Sequence, residues 1–452
     1  MGRRASRFSR EPETTGIRSM THEGRGVADK EGKTVFVDGA LPGEEVEWQR
    51  MRSRRNYDEA RALQVLSPSP DRVDPGCAVF GVCGGCVMQH LNKDGQVYVK
   101  EQVLRDALER IGNLPIPEWL PPVAGDEWHY RRRARLGVRY VDGKSRVLIG
   151  FRERYKPYIT DMQRCPVLVQ PVADLLSPLA DLIAGLSIVR ELPQIEVSVG
   201  DGDEHPIVSM ILRVLATPSE QDLDRLRSFS EAHNVWFSLQ TGGLDSITGL
   251  PRSDGSATPQ LEYRLDEWGL SLHFEPSDFI QVNADINRRM INAAIEHLDV
   301  RSEDRVLDLF SGIGNFSLPL ATKAQAVHGV EGLAALSQRA EGNAARNNIT
   351  NASFATRDLS QPEAIEALAK TPWDLILLDP ARAGADAFAA AAGRFSARRI
   401  VYVSCHPGTL ARDAGILQEQ GFALRKAGIL NMFPHTAHVE SMAVFEPRGG
   451  QD

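Results

Sequence analysis

Beyond about Leu272, short apolar runs alternate with Ala-rich stretches of helical period; "RVLDLF", "AVHGVE", "ASFAT", "LILLDP" and "RIVYVSC" follow one another at intervals that a crossover helix fills. Strands apolar along their whole length must be covered on both faces, so the pattern predicts a doubly wound, Rossmann-like parallel sheet over 272–452. Such sheets bind ligands at the carboxyl ends of their strands. After the first run the chain reads "SGIGN", which predicts a strand over Arg305–Phe310, a tight turn at Gly312 and Gly314, and a helix beginning near Asn315. Two glycines one residue apart are a weak signal alone. The next run ends in Glu331, nineteen residues after Gly312, at the distance where a carboxylate grips ribose hydroxyls. Without a third glycine or a phosphate-cradling Lys loop, S-adenosylmethionine fits this turn better than NAD. Asp358, after the third run, either reaches the adenine or is an ordinary capping or loop Asp.

The later runs carry groups suited to covalent chemistry. "WDLILLDPARAGA" delivers Asp379 and Pro380 at a strand end, where an Asp is a ligand or a turn former. "RIVYVSCHPGTLARD" ends its strand at Cys405, and a cysteine there is a small core residue or a nucleophile. A last strand, "HVESMAVFEP", carries Glu440 just behind "NMFPHTAH", so that a thiol and a carboxylate meet above one sheet edge. Carbon 5 of uracil is too weak a nucleophile to take a methyl group from a sulfonium, but a thiolate added at carbon 6 makes the ring an enolate that attacks from carbon 5. The carbon 5 proton must then be removed by a positioned base before the thiol is expelled. Cys405 is the candidate nucleophile and Glu440 the candidate base.

The 452 residues, 42% hydrophobic and 25% charged, contain no run of 18 apolar side chains and suit a protein of two or three domains with no membrane span. The basic start, "MGRRASRFSREPETTG", lacks a secretory core and reads as a flexible tail, 1–12, on a cytoplasmic protein. Turn-bounded β-rich runs over 13–68 predict a small OB-like barrel, closed by the Pro-rich stretch Pro68 to Pro75. Residues 75–270 read as a mixed α/β middle. The net charge of −8 conceals a patch from Trp128 to Lys156 with ten Lys or Arg against two acids, interleaved with Trp128, Tyr130, Tyr140, Phe151 and Tyr155. That mixture suits phosphate contacts and base stacking. Five cysteines, an odd number, argue against a disulfide framework. Three of them, Cys77, Cys83 and Cys86, crowd into "CAVFGVCGGC" and read as metal ligands or catalysts.

"FIQVNADIN", "LDLFSGIGNFSLPLA", "LLDPARAGA", "VSCHPGTLARD" and "FPHTAHVESM" resemble, in order, the motifs of the bacterial RNA uracil-C5 methyltransferases and cover the last third of the chain. "GIRSMTHEGRGVADKEGKTVFVDGALPGEEVEWQ" resembles a TRAM domain, an RNA-binding β-barrel. With the crowded cysteines, this combination resembles the branch of the family that modifies 23S ribosomal RNA. The resemblance implies that Gln281, Phe310, Asn315, Glu331, Asp358 and Asp379 line the S-adenosylmethionine and uracil sites, with Cys405 as nucleophile and Glu440 as base. Three positions depart from the family pattern: His406 stands for the usual Asn, Ser311 for Cys and Asn431 for Asp. Cys165, in "DMQRCPVL", is the candidate fourth ligand beside Cys77, Cys83 and Cys86. Four thiolates suit zinc or an iron–sulfur cluster, and the spacing resembles the family's [4Fe-4S] site. The expected fold is therefore a TRAM barrel, a central α/β iron–sulfur domain and a Rossmann-like methyltransferase domain, in a monomer whose partner is 23S ribosomal RNA.

Overall fold

The computed structural model describes residues 9, 11–115 and 118–449; the expected tail, 1–12, falls outside them apart from Ser9, Glu11 and Pro12. The first unit is a six-stranded sheet made of β1 (Glu13–Gly16), β2 (Ser19–Met20), β3 (Arg25–Lys30), β4 (Lys33–Asp38), β5 (Glu45–Ser53) and β6 (Tyr57–Ser67), in the order β1-β5-β6-β4-β3-β2. Alternate residues of these strands point inward, and Val35, Val37, Val46 and Trp48 form its core.

Helix α1 (Lys93–Arg110) begins at Asn92, whose side chain accepts from the Gly95 amide, and β7 (Glu118–Trp119) follows. Both belong to the catalytic sheet described below: Val97, Leu104 and Leu108 join its core, and β7 pairs with its edge. The middle sheet contains β8 (Arg133–Val141), β9 (Arg146–Gly150), β10 (Gln194–Gly200), β11 (Ile207–Arg213), β12 (Val235–Gln240) and β13 (Ile247–Gly249), ordered β13-β12-β11-β10-β8-β9. Helices α2 (Gln170–Ala184) and α3 (Glu220–Ala232) cover it. A hairpin of β14 (Leu261–Leu265) and β15 (Leu270–Phe274) leads into the last unit.

There α4 (Ala284–Leu298), β16 (Arg305–Leu309), α5 (Ser317–Ala321), β17 (Ala326–Glu331), α6 (Ala334–Arg346), β18 (Ala352–Thr356), α7 (Pro362–Leu368), β19 (Leu375–Leu378), α8 (Asp386–Ala391), β20 (Arg399–Ser404), α9 (Pro407–Glu419), β21 (Phe422–Leu430) and β22 (Glu440–Pro447) follow in turn. The sheet order is β18-β17-β16-β19-β20-β22-β21-β7. The five strands from β18 to β20 are parallel, and β22 and β21 are added antiparallel. Neighbouring residues serve opposite faces: Val306, Leu375 and Val401 meet one core, and Leu307, Ile376 and Ile400 meet the other. This double coverage is why the strands read as unbroken apolar runs. Among the described residues no helix is long and apolar enough to cross a membrane.

The expected iron–sulfur character of the middle unit is corrected by the structure. Among the described residues, no group of three or more His, Cys, Asp or Glu side chains is arranged to hold a metal ion. Cys165 is instead a member of the main hydrophobic core, Cys86 packs against it, and the Cys83 thiol accepts from the Gly85 amide at 3.4 Å. Burial pushes the Cys83 and Cys165 thiols up and takes Cys86 to about 12, its neighbouring cysteines adding to the shift. Neutral thiols pack as small apolar side chains, as Cys165 and Cys86 do here.

Candidate active site

The turn after β16 is built under backbone strain. Phe310 adopts φ +66°, a region that costs a bulky residue about 1–3 kcal/mol, and is held there because its amide and that of Ser311 both donate to the Val330 carbonyl, at 2.8 and 3.1 Å. Gly312 and Gly314 follow at φ +55° and +94°; a Cβ on Gly314 would also sit 3.1 Å from Leu318 Cγ. Strand β17 places Glu331 across this turn, where one carboxylate oxygen accepts from the Gly312 amide at 3.1 Å and the other from the Leu333 amide at 3.0 Å. Two polar atoms at the turn, Asp308 Oδ1 and Ser311 Oγ, are buried without a partner among the described residues. A glycine cradle, a fixed carboxylate and orphaned buried oxygens fit a polar adenosine-bearing ligand.

The remaining candidates divide. The Gln281 carbonyl accepts from Arg132 Nε at 3.1 Å, and its half-buried side-chain amide has no partner among the described residues. Asn315 exchanges two 3.0 Å hydrogen bonds with Asn287 and accepts a third from the Tyr263 hydroxyl at 2.8 Å, so its side chain ties α4 to the turn. Asp358 is exposed and its carboxylate accepts from Ser360 and Gln361, which hold its pKa low; it is a loop Asp of the ordinary kind.

Cys405 and Glu440 meet through strand register. β20 and β22 are antiparallel with Ser404 opposite Ser441, so the next pair along this register is Cys405 and Glu440. Asp379, one residue beyond the end of β19, completes the group from the parallel neighbour. The three acids are crowded and poorly hydrated: burial raises Glu440 to about 8, Asp379 adding to the shift, and burial takes Asp379 to about 7. Burial also pushes the half-buried Cys405 thiol up to about 11, with Glu440 and Asp379 contributing. Arg382 opposes them, and α9 begins at Pro407, two residues after Cys405. His406 is the N-cap of that helix, its Nδ1 accepting from the Thr409 amide at 3.2 Å, so it serves the local role that an Asn would.

Three groups escaped the sequence reading. Asp308 is wholly buried, accepts from the Ser317 hydroxyl and is raised to about 7 by burial, with Asp379 and Glu331 adding to it; it links the glycine turn electrostatically to the thiol edge. Arg382 was legible as a cation just past "DP". Lys100 lies on α1 in the spacing Val97, Lys100, Leu104, Leu108, a lysine within an apolar stripe, and that was its signal. Its side chain is 1% exposed, and Nζ donates to Asn431 Oδ1 and the Phe433 carbonyl, both at 2.8 Å.

The loop between β21 and β22 is also the anchor of the basic segment. Trp128 packs against His435 with ring centroids 4.1 Å apart and the planes tilted by 36°, the Tyr130 hydroxyl donates to the Pro434 carbonyl at 3.1 Å, and the Arg132 amide donates to the Val282 carbonyl at 2.9 Å. Within the segment, Arg135 pairs with Glu196, Lys144 and Arg146 share Asp161, and Arg154 reaches Asp38 of the first sheet. Arg139 and Arg152 are exposed without such partners among the described residues, beside a cavity of about 1010 Å³ that Phe151 and Tyr158 also line.

The model of the tRNA (Uracil-5-)-methyltransferase family matches residues 260–448, which include the glycine turn, Glu331, Cys405 and Glu440. The crystal structure of Pyrococcus abyssi tRNA (uracil-54, C5)-methyltransferase in complex with S-adenosyl-L-homocysteine shares the fold, with a TM-score of 0.70 and 23% identity over 96% of this chain and 100% of that one. Similarity in sequence extends over almost the whole length. The 23S rRNA (uracil(1939)-C(5))-methyltransferase RlmD of Hahella chejuensis is 46% identical over 99% of this chain and 100% of its own, and that of Methylococcus capsulatus is 45% identical with the same coverage. The chain belongs to the RlmD family of RNA (uracil-C5)-methyltransferases.

Proposed function

We propose that this protein methylates carbon 5 of the uracil at position 1939 of 23S rRNA, the reaction named for its relatives, with S-adenosylmethionine bound at the turn from Phe310 to Gly314 and beside Glu331. The observation that carries the reading is the register that sets Cys405 against Glu440 at the edge shared with Asp379. S-adenosylmethionine supplies the methyl group as a sulfonium. Cys405, ionised with the help of Arg382, adds through its sulfur to carbon 6, and the ring electrons become available at carbon 5. Once carbon 5 is methylated, Glu440 accepts its proton, the C5–C6 double bond reforms, and the sulfur–carbon bond breaks to return the thiolate. The unpartnered Gln281 amide is placed to hold a uracil edge, and Phe279, 66% exposed two residues before it, offers a ring for stacking.

A uracil stacked in folded RNA must be turned out to reach this edge, at a cost on the order of a few kcal/mol. Contacts from the first sheet and from Arg139, Arg152, Phe151 and Tyr158 offset that cost, and a monomer in the cytoplasm meets its RNA in this way. Incubating the protein with 23S rRNA and methyl-labelled S-adenosylmethionine is expected to place one 5-methyluridine at position 1939. Label at another nucleotide, or none, overturns the reading.

A further inference from the structure

We propose that the cavity beside β8 is a second RNA subsite, which takes an unpaired nucleotide some way along the strand from the target uracil, its phosphate held by Arg139 and Arg152 and its base laid against Tyr158. The inference rests on the reading of the chain as an RNA methyltransferase, and it adds a nucleotide that is bound but not methylated. Side chains of β8 alternate between two faces: Ala134, Leu136 and Val138 enter the core, while Arg133, Arg135, Gly137 and Arg139 share the opposite face. Gly137 stands opposite Gly150 of β9, and a Cβ on Gly137 would lie 2.2 Å from Ile159 Cδ1. The missing side chain seats Ile159, and the segment 151–161 that carries it becomes one wall of a cavity of about 1010 Å³. Tyr158, on the same segment, is 62% exposed.

The charges that line the cavity do not cancel. Arg135 is paired with Glu196, Lys144 with Asp161, and Glu153 with Lys156. Arg139 and Arg152 make no ion pair or side-chain hydrogen bond among the described residues, and Asp142, three residues from Arg139, is held by Arg190. Two cations without counter-ions beside an exposed ring suit a nucleotide, since a phosphate neutralises the first and a base covers the second. A duplex keeps its bases stacked inside and offers such a cavity phosphates alone, so the occupant is single-stranded. Strand β8 also sets where on the RNA this nucleotide lies. It leaves the catalytic unit just after Arg132, whose amide donates to the Val282 carbonyl and whose Nε donates to the Gln281 carbonyl. Arg139 follows seven residues later, about 23 Å along an extended strand, a span of several nucleotides.

Fluorescence anisotropy at several salt concentrations compares the unaltered protein with Arg139→Ala, Arg152→Ala, Tyr158→Ala and Tyr158→Phe in binding a labelled 23S rRNA fragment that carries the target and both single-stranded flanks. Each Arg variant is expected to flatten the log–log salt dependence by about 0.7. Tyr158→Ala is expected to weaken binding about tenfold with the salt dependence unchanged, and Tyr158→Phe, which keeps the ring, to bind as the unaltered protein does. A fragment cut back to the target and its immediate neighbours does not reach the cavity and is expected to bind every variant alike. Affinities and slopes on the long fragment that no variant alters overturn the inference. So does a Tyr158→Phe variant as weak as Tyr158→Ala, or a loss in the Arg variants that persists when the flanks are annealed to complementary strands, which marks a duplex surface. Methylation of the long fragment by the unaltered protein separates the two readings: if no 5-methyluridine forms, the methyltransferase reading fails, and if it forms while all variants bind normally, only the subsite fails.

Discussion

The five cysteines occupy two opposite environments. Cys77, Cys83, Cys86 and Cys165 belong to the middle of the molecule, where burial and neighbouring cysteines push the thiols of Cys83, Cys86 and Cys165 up and Cys165 is part of a hydrophobic core. Cys405 stands alone at the end of β20, half-buried, with a carboxylate opposite, a cation at Arg382 and a helix N-terminus beside it. Crowding of thiols therefore says little about reactivity. What distinguishes the reactive candidate is a setting with both a proton acceptor and positive charge.

The sharpest test of this contrast is Cys405→Ala, which is expected to lower methyl transfer by ~10⁴-fold or more, while calorimetry still registers S-adenosylmethionine binding. Substantial activity in that variant moves the chemistry elsewhere. The environment of Glu440 makes a prediction about pH. Its carboxyl holds its proton up to about 8 in the folded protein against 4.5 in the unfolded chain, so the folded state binds more protons in that window. The contribution is complete below pH 4.5 and is lost as pH rises to 8, on the order of a few kcal/mol. Urea midpoints of the unaltered protein should consequently fall between pH 5 and 8 relative to those of Glu440→Gln, and parallel curves refute the burial argument. Arg382→Ala should slow adduct formation with 5-fluorouracil-substituted RNA by about tenfold, with a rate that recovers at high pH; equal rates remove Arg382 from the account of the thiol. The smallest change in activity is expected for Cys165→Ser, which puts a hydroxyl into the core at a cost of about 1–3 kcal/mol and leaves turnover per folded molecule intact. If it lowers turnover without lowering the melting temperature, the division between the two settings breaks down.

Legibility followed the range of the interaction. The strands "RVLDLF", "LILLDP" and "RIVYVSC" are largely apolar because both faces are covered, and a window of six residues suffices to show it. The Gly312 turn and Glu331 lie on consecutive strands joined by one short helix, so their meeting followed from topology and is realised in the bond between the Gly312 amide and the carboxylate. His406 departs from the family's Asn but caps α9 all the same, because the imidazole nitrogen accepts where an amide oxygen would. Asp358 was open to two readings, and the side chains of Ser360 and Gln361 decide for the local one. The four cysteines looked alike in spacing to a metal site, yet spacing along a chain does not specify how buried side chains are arranged, and here Cys165 joins the core with Cys86 packed against it. Lys100 was readable as a lysine on an apolar stripe but not as a donor to the loop between β21 and β22.

The sequence by itself determined the period of the buried strands and the tight turn at Gly312 and Gly314, since these depend on residues a few positions apart and on the covering rule for parallel sheets. The tertiary structure alone decided that β22 lies antiparallel between β20 and β21, a placement that sets Glu440 opposite Cys405, and that α1 brings Lys100 to Asn431 just past β21. A strand's hydrophobic pattern is the same for either direction and either neighbour, and only the burial of whole faces against one another selects among the pairings.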